Sequence, residues 1–492
     1  MDNDLLQALY GQNDSGAGQD ILKAIIAGNQ TGTQLLDQLS SGPSLKPESL
    51  DPLVKVLQNR LSDLVTWNMI PKHTIYETVH QYNQLVSYGD NVGIFMQEGA
   101  SPQSNDTSYR RKSALIRYSG IIGELTHQAM LVKNADGIDP YTREVESKVI
   151  WLLTEINKAI STSNNDTDSL AFNGVFKQHY DGVLEANGGS TLDDYANDSV
   201  VIDARGKALS DDLIEDATHA VVNDRFGRVS TILSNPQVFS NYVKRFHESK
   251  RIFVGQPGAV SGATMGQSVN TTQTQYGAVN LKHDIFFDRR GTKRSNSAVE
   301  GQNAPASPTI DGTTPIAVVT DTSTKFGDGA GSYFYGVVAK NSTGQSAFVS
   351  FNTTAQAVTA TQAVDLKFTI TDNSNPATGF IIYRTEADVT DRTSATFYPI
   401  MEVSIAERTA GYDGAAAGAV RDRNRTLPNT HSAFVFEPEN QIWEYIQLSN
   451  ASKVEFAITT LSKRFAIINY GTPLLYQPGK IARIINLGES LT

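Results

Sequence analysis

Apolar and polar positions change rhythm twice along this chain. From 331 to 413 the apolar residues come in short runs. Examples are Tyr333-Phe334-Tyr335-Gly336-Val337-Val338-Ala339 and Gly379-Phe380-Ile381-Ile382-Tyr383, separated by Asn, Ser, Thr and Gly. Runs of that length and punctuation predict short strands, hence a small β-sandwich. On either side the spacing turns helical. The clearest case has Asp139 as cap, Pro140 at the first position, and Val145, Val149, Leu152, Leu153, Ile156 and Ile160 on one face. Arg143, Glu144, Glu146 and Lys148 lie on the other face. A helix of about 22 residues is roughly 33 Å long, a strut spanning a domain. A module with a different rhythm in mid-chain implies a host fold that tolerates an insertion.

Other elements of the host follow from the same reading. Residues 1–50 are polar and broken by Gly, which suggests an extended arm with one amphipathic stretch, Ile21 to Ile26. A helix is expected from Pro52, with Leu53, Val54, Leu57, Leu61, Leu64 and Val65 on one side. Gly93 to Gln97 and Ala114 to Tyr118 read as two strands of a long hairpin with a polar tip, Glu98 to Ser108, and little apolar face of its own. Such a hairpin needs a partner surface. Ser210 is placed to cap a helix over Asp211 to Phe226, a strand is expected at Val229–Leu233, and Asn235-Pro236 starts a further helix. A Gly-rich loop, Gly255 to Gly266, and a strand from Tyr276 to Phe287 follow. Two joins rich in Gly, Ser, Pro and Thr, 291–315 and 409–429, bracket the sandwich and read as flexible. Both carry basic clusters, the second with Arg421, Arg423 and Arg425.

Composition narrows the function more than it names it. The 41 Lys+Arg against 52 Asp+Glu give a net charge of −11, which argues against a dedicated nucleic-acid binder. Without cysteine there is no disulfide or thiolate chemistry. The first residues lack the basic and apolar regions of a secretory signal, and no run is long enough to span a membrane. The eight histidines show no metal spacing. Gly327-Asp328-Gly329-Ala330-Gly331 precedes a strand rather than a helix, so it reads as a turn and not a phosphate cradle. Asp193-Asp194 and Asp211-Asp212 read as a turn and a helix start. No catalytic, cofactor or metal site emerges. The charge feature that stands out is Arg110-Arg111-Lys112 on the hairpin. It reads equally as a solvated edge that guards against aggregation and, with Glu98, as an intersubunit ion-pair strip.

The order of these parts resembles the major capsid proteins of tailed bacteriophages, the Hong-Kong-97-type fold. Glu98-Gly99-Ala100-Ser101-Pro102 stands where that family's E-loop begins, and Asp139 to Ser161 matches its spine helix. Asp203 to Leu209 is similar to the A-domain start. Ile232-Leu233-Ser234-Asn235-Pro236-Gln237-Val238-Phe239 is similar to a strand-to-helix step of the family. Lys463 to Ile485 is similar to its final P-domain hairpin. Tyr333-Phe334-Tyr335, Asn341 to Ser346, Gly379 to Arg384 and Tyr412-Asp413 resemble immunoglobulin-like or fibronectin type III modules.

The resemblance implies an α+β capsid fold: N-terminal arm and helices at 1–84, E-loop at 85–135, P-domain spine helix at 136–165, A-domain and central α/β region at 166–290, an inserted Ig-like β-sandwich at 291–430, and returning P-domain and A-domain strands at 431–492. It further implies a homo-oligomer of hexamers and pentamers around DNA, bound without sequence specificity, in a virion assembled in the host cytoplasm. Portal, scaffold and decoration or head-fibre proteins would be its partners, and it would need no cofactor and no membrane. On this reading the sandwich projects from the shell, and removing 310–415 leaves assembly intact. The alternatives are a secreted adhesin or carbohydrate-binding protein with a fibronectin-type module, and a hydrolase with an accessory β-module.

Overall fold

The structure is a computed structural model that describes residues 60–89, 94–132, 139–246, 270–289, 291–312, 314–370, 374–457 and 461–489. The arm expected at 1–50, most of the helix expected from Pro52, and the Gly255–Gly266 loop lie outside the described residues. The chain divides into two units, with Gln128–Thr142 grouped with Met1–Leu57. The following concerns the larger unit.

Strands from both ends of this unit interleave in two sheets. A six-stranded mixed sheet runs in the order Val201–Asp203, Ala482–Leu487, His431–Phe436, Thr231–Ser234, Gly277–His283, Thr271–Thr274. Helices Val175–Asn187, Asp211–His219 and Pro236–Phe246 contribute Val183, Ile214, Ala217, Val238 and Tyr242 to its core, against Ile232, Val435 and Ile484. Ser210 accepts from the Leu213 amide at 3.3 Å, and its helix starts at Asp211. The α-helical part runs to His219 and continues through a π-helical stretch, Ala220–Asp224, to Arg225, one residue short of the Phe226 that the spacing implied. A second sheet runs in the order Lys72–Thr74, Trp443–Glu455, Ser462–Leu475, Arg117–Thr126. The strut helix is present as Pro140–Thr162, with Leu152, Ile156 and Ile160 buried. Its Asn157 accepts from the Trp67 amide at 2.8 Å and donates to buried Asp284 at 2.9 Å. The Thr66 amide donates to the same carboxylate at 2.8 Å, so the early segment, the strut and the six-stranded sheet meet at one buried acid.

Between Gly277–His283 and His431–Phe436 the chain builds an all-β unit. One sheet is Val349–Ser350, Tyr335–Lys340, Gly379–Arg384, Tyr398–Ser404. The other is Ile316–Thr320, Gln362–Thr369, Ala419–Asp422, with Thr309–Ile310 beside Gln362–Thr369. Tyr335, Val337, Val364, Leu366, Phe368, Phe380, Ile382 and Val420 fill the space between them. The Ser432 amide donates to Asp288 at 2.6 Å, so the ends of the insert meet.

The two joins differ from the expectation of flexibility. Residues 293–300 lie along the first sheet, with paired backbone bonds between Lys293 and Phe397 (3.0 and 2.9 Å) and between Glu300 and Gln345 (2.9 and 2.8 Å). They lie along the face where Phe334, Val338, Phe348, Tyr383 and Phe397 pack together. The second join holds the end of a capped helix, Ile405–Ala410, and then a full sheet strand, Ala419–Asp422. Gly, Ser and Thr composition marks irregular backbone. It does not reveal whether that backbone finds hydrogen-bond partners.

A relay centred on buried His179 and Tyr195 ties the strand Ala482–Leu487 to the helices beside it. Arg483 Nη1 donates to the Tyr195 hydroxyl at 3.2 Å, and that hydroxyl donates to His179 Nδ1 at 3.0 Å. His179 Nε2 in turn donates to the Ile481 carbonyl at 2.9 Å. The tautomer follows from the carbonyl, which can only accept. Burial pushes the His179 pKa down to about 3, outweighing its bond to the Ile481 carbonyl; the Arg483 charge lowers it further and Asp198 opposes. With an ordinary value of 6.5, the unfolded chain takes up this proton first on acidification. The neutral ring therefore contributes its full stability above pH 6.5 and loses it progressively toward pH 3, at roughly 1.4 kcal/mol per pH unit. Urea midpoints measured between pH 7 and 4 should fall, and His179→Gln should flatten that slope. An unchanged slope in the variant would refute the assignment.

Candidate assembly surface

The hairpin is built from Val79–Ser87 and Ser108–Leu115, in register from Val79↔Leu115 to Ser87↔Ser108. Ile94 to Gln97 has no regular structure, so the strand expected there is corrected: it lies earlier, in the polar run His80-Gln81-Tyr82-Asn83-Gln84. That strand was missed because its apolar residues, Val79, Tyr82, Leu85 and Val86, do not alternate with polar ones at a period of two, and the hairpin buries little on either face.

The base of the hairpin is tied to the body. Tyr82 packs edge-on against Tyr476 at 4.8 Å, Gln84 bonds the Tyr476 carbonyl, and His80 Nε2 lies 3.3 Å from the Tyr476 hydroxyl. Arg110 reaches Glu185 at 2.6 Å, and Lys112 binds the same carboxylate. Partial burial alone would raise the Glu185 pKa, but the two cations outweigh it and hold it below its usual range. Arg110 and Lys112 are thus employed within their own chain. Arg111 lies beside Asn83 at 3.2 Å on the exposed side, and Glu98 is exposed at the tip.

The tip itself carries the apolar surface. Ile94, Phe95 and Met96 are 84%, 93% and 63% exposed. The signal in the sequence was three large apolar residues between Gly93 and Gly99, away from any amphipathic repeat.

A second apolar surface lies on the four-stranded sheet. Val454, Ala466 and Ile122 face one another across three strands, so their side chains share a face. Phe456, Tyr118 and Tyr470 lie on that side too, the tyrosines edge-to-face at 5.0 Å. Ile122, Val454 and Phe456 are about half exposed, whereas Phe465 and Ile467 on the opposite face are buried. Gly123 is required there, because the Phe465 ring would lie 2.3 Å from a Cβ. The described fold is α+β, with an apolar hairpin tip and an apolar sheet face both turned to solvent.

Among the described residues no group of three or more His, Cys, Asp or Glu side chains is placed to hold a metal, and no helix is long and apolar enough to cross a membrane. No protein-family model matches the chain. It is similar to the major capsid protein of Staphylococcus phage S25-3, 25% identical over 484 residues and 95% of each chain, and equally to that of Staphylococcus phage K. The putative major capsid protein of Enterococcus phage phiEF24C is 24% identical over 474 residues, again 95% of each. Among solved structures, the capsid of a native GTA particle aligns with TM-score 0.44 at 7% identity, covering 91% of this chain and 97% of that one. The holo-SrpI encapsulin complex of Synechococcus elongatus PCC 7942 aligns at 0.40 and 6%, covering 89% and 93%. Both structural likenesses are remote. The sequence likeness runs nearly end to end in both partners and supports a structural capsid role over the secreted adhesin.

Proposed function

We propose that this chain is the major structural subunit of a tailed-phage capsid, with no catalytic role, assembling as hexamers and pentamers of the Hong-Kong-97 type. The carrying observation is the end-to-end similarity to phage major capsid proteins; the two solvent-facing apolar surfaces supply the physical means. In this reading the hairpin is the E-loop, Pro140–Thr162 the spine helix, the four-stranded sheet the P-domain and the six-stranded sheet the A-domain. The all-β unit is of the immunoglobulin-like kind. The hairpin tip of one copy lies on the open sheet face of another, with Arg111 and Glu98 at the rim of that contact. The shell encloses DNA without reading its sequence, and portal, scaffold and decoration proteins are its further partners.

The test is Ile94→Ser, Phe95→Ser and Met96→Ser together. Burying each of these side chains stabilises a contact by about 1.5–3 kcal/mol. The triple variant should remain a folded subunit by circular dichroism yet yield no shells in negative-stain microscopy. Shells formed as readily as by the wild type would remove the tip from assembly. A wild-type chain that stays monomeric with and without a scaffold protein would refute the capsid reading itself.

A further inference from the structure

The hairpin leaves the body at a narrow root. Ile116 is 1% exposed, its amide donates to the Thr78 carbonyl at 3.0 Å, and the next residue begins the sheet strand Arg117–Thr126. Beyond Ile116 the paired strands Val79–Ser87 and Ser108–Leu115 extend with little apolar cover. At about 3.3 Å per residue, Ser108 stands roughly 26 Å out, so a swing of about 10° at the root would carry it roughly 5 Å. Apolar burial does too little to fix that angle, because a two-stranded hairpin has almost no core of its own.

One face of the hairpin is held instead by the body. Tyr82 and Lys112 are cross-strand partners, as are Gln84 and Arg110, so the four side chains share a face. Each strand has its own anchor. Tyr476 takes the Tyr82 ring edge-on and accepts from Gln84 at its carbonyl, which holds Val79–Ser87. Glu185 accepts from Arg110 and Lys112, which holds Ser108–Leu115 at about 20 and 13 Å from Ile116.

Glu185 is a poor choice for its own helix. It stands in the last turn of Val175–Asn187, where the helix dipole disfavours a carboxylate, and that turn holds no basic residue. Arg110 and Lys112 supply the missing positive charge from the hairpin. Burial, and then the Glu185 charge, push the Tyr82 phenol up to about 12, so the carboxylate acts on that ring as well. An exposed ion pair contributes little alone. Here two cations share one carboxylate, and the hairpin orientations they compete against gain almost nothing from burial.

We propose that Glu185 is a latch that fixes the angle of the hairpin against the body, so that the apolar tip is carried to one position. The latch is a property of the single subunit and does not depend on the capsid reading.

The chain has no cysteine, so Ser108→Cys with Asp216→Cys places one spin label on the hairpin and one on the helix Asp211–His219. In the full chain kept unassembled, double electron–electron resonance should give one narrow distance distribution. Glu185→Gln should widen it about twofold or more, with an unchanged circular dichroism spectrum. Arg110→Gln with Lys112→Gln removes the same pairs from the hairpin side and should act alike. Exchanging the charges, Glu185→Lys with Arg110→Glu and Lys112→Glu, should narrow the distribution again. A folded neutral variant that keeps the wild-type width overturns the latch, since the Tyr476 anchor then suffices. A folded charge-exchange variant that stays broad overturns it too, since Glu185 then acts through packing. So does a wild-type distribution already as broad as that of Glu185→Gln.

Discussion

Excision of residues 310–415 is expected to destroy the soluble subunit, whereas excision of 291–430 across the Asp288–Ser432 contact should leave a folded host. The first cut removes the sheet but leaves one of its strands. Ala419–Asp422 pairs with Gln362–Thr369, and Ala419 and Val420 are fully buried. The same cut strips Arg421 of both its carboxylates and leaves Arg423 and Arg425 only Asp193. Arg421 loses Asp365 (2.6 Å) and Asp321 (3.2 Å), Arg423 loses Asp321 (2.9 Å) and Asp413 (2.8 Å), and Arg425 loses Asp413 (2.9 Å). Ala419–Asp422, an apolar strand left without its partner, becomes an open edge and an aggregation site. The second cut removes the unit whole, and about three linker residues span the gap between its adjoining ends.

That second deletion is still expected to lower the melting temperature, because the insert is docked on the host at two places. Thr167, in the loop after the spine helix, hydrogen-bonds Glu402 and Thr378 and lies against Gly379. At the other place Arg205 donates to the Asn424 and Lys325 carbonyls (3.0 and 2.5 Å), Lys325 pairs with Asp203 at 3.1 Å, and Arg425 reaches Asp193 at 2.8 Å. Soluble yield and thermal melts of the two deletions decide the matter. A 310–415 deletion that melts with the wild type would show the insert to be a loose appendage after all.

Arg384→Ala should cost about 3–5 kcal/mol, the range for removing one member of a buried ion pair. Arg384 is fully buried. It donates to Asp422 at 2.5 Å, to Asn424 Oδ1 at 2.6 Å and to the Thr426 carbonyl at 3.2 Å, and lies over the Tyr333 and Phe326 rings at 4.9 and 5.3 Å. Asp422 also accepts from the Tyr335 hydroxyl at 3.0 Å and the Asn424 amide at 2.8 Å. Burial alone would lower the Arg384 pKa; the Asp422 charge outweighs it and holds the guanidinium charged, while burial and the same carboxylate push the Tyr335 phenol far up. Arg384→Ala therefore leaves a carboxylate buried with only neutral donors. Arg384→Met with Asp422→Leu should lie closer to wild type than either single change, since both charges leave together. Arg384→Lys should not rescue, because one ammonium cannot reach three acceptors in the guanidinium plane. Chemical denaturation gives the free energies, and a loss under about 1 kcal/mol for Arg384→Ala would refute this role for the pair.

Much of the fold was legible where a local rule acts on consecutive residues. Pro140 with its three-and-four apolar spacing marked the strut, Ser210 and Asn235-Pro236 marked two helix starts, and the short apolar runs at 333–339 and 379–384 marked strands. The assembly surface was legible only in part. The basic strip was visible, but that Arg110 and Lys112 serve Glu185, 75 and 73 residues away in sequence, was not. Ile94-Phe95-Met96 was visible as apolar and misplaced as a strand, since an apolar run does not say whether its backbone finds a pairing strand.

By itself the sequence determined the strut helix, two further helix starts, a run of short strands of a different rhythm in mid-chain, and the absence of thiol chemistry, because these follow from periodicity, turn residues and composition. Only the tertiary structure decided that the insert is clamped rather than tethered, and which cations are spent internally. Both depend on which distant residues meet. Polar and ionic pairing leaves no period in the chain.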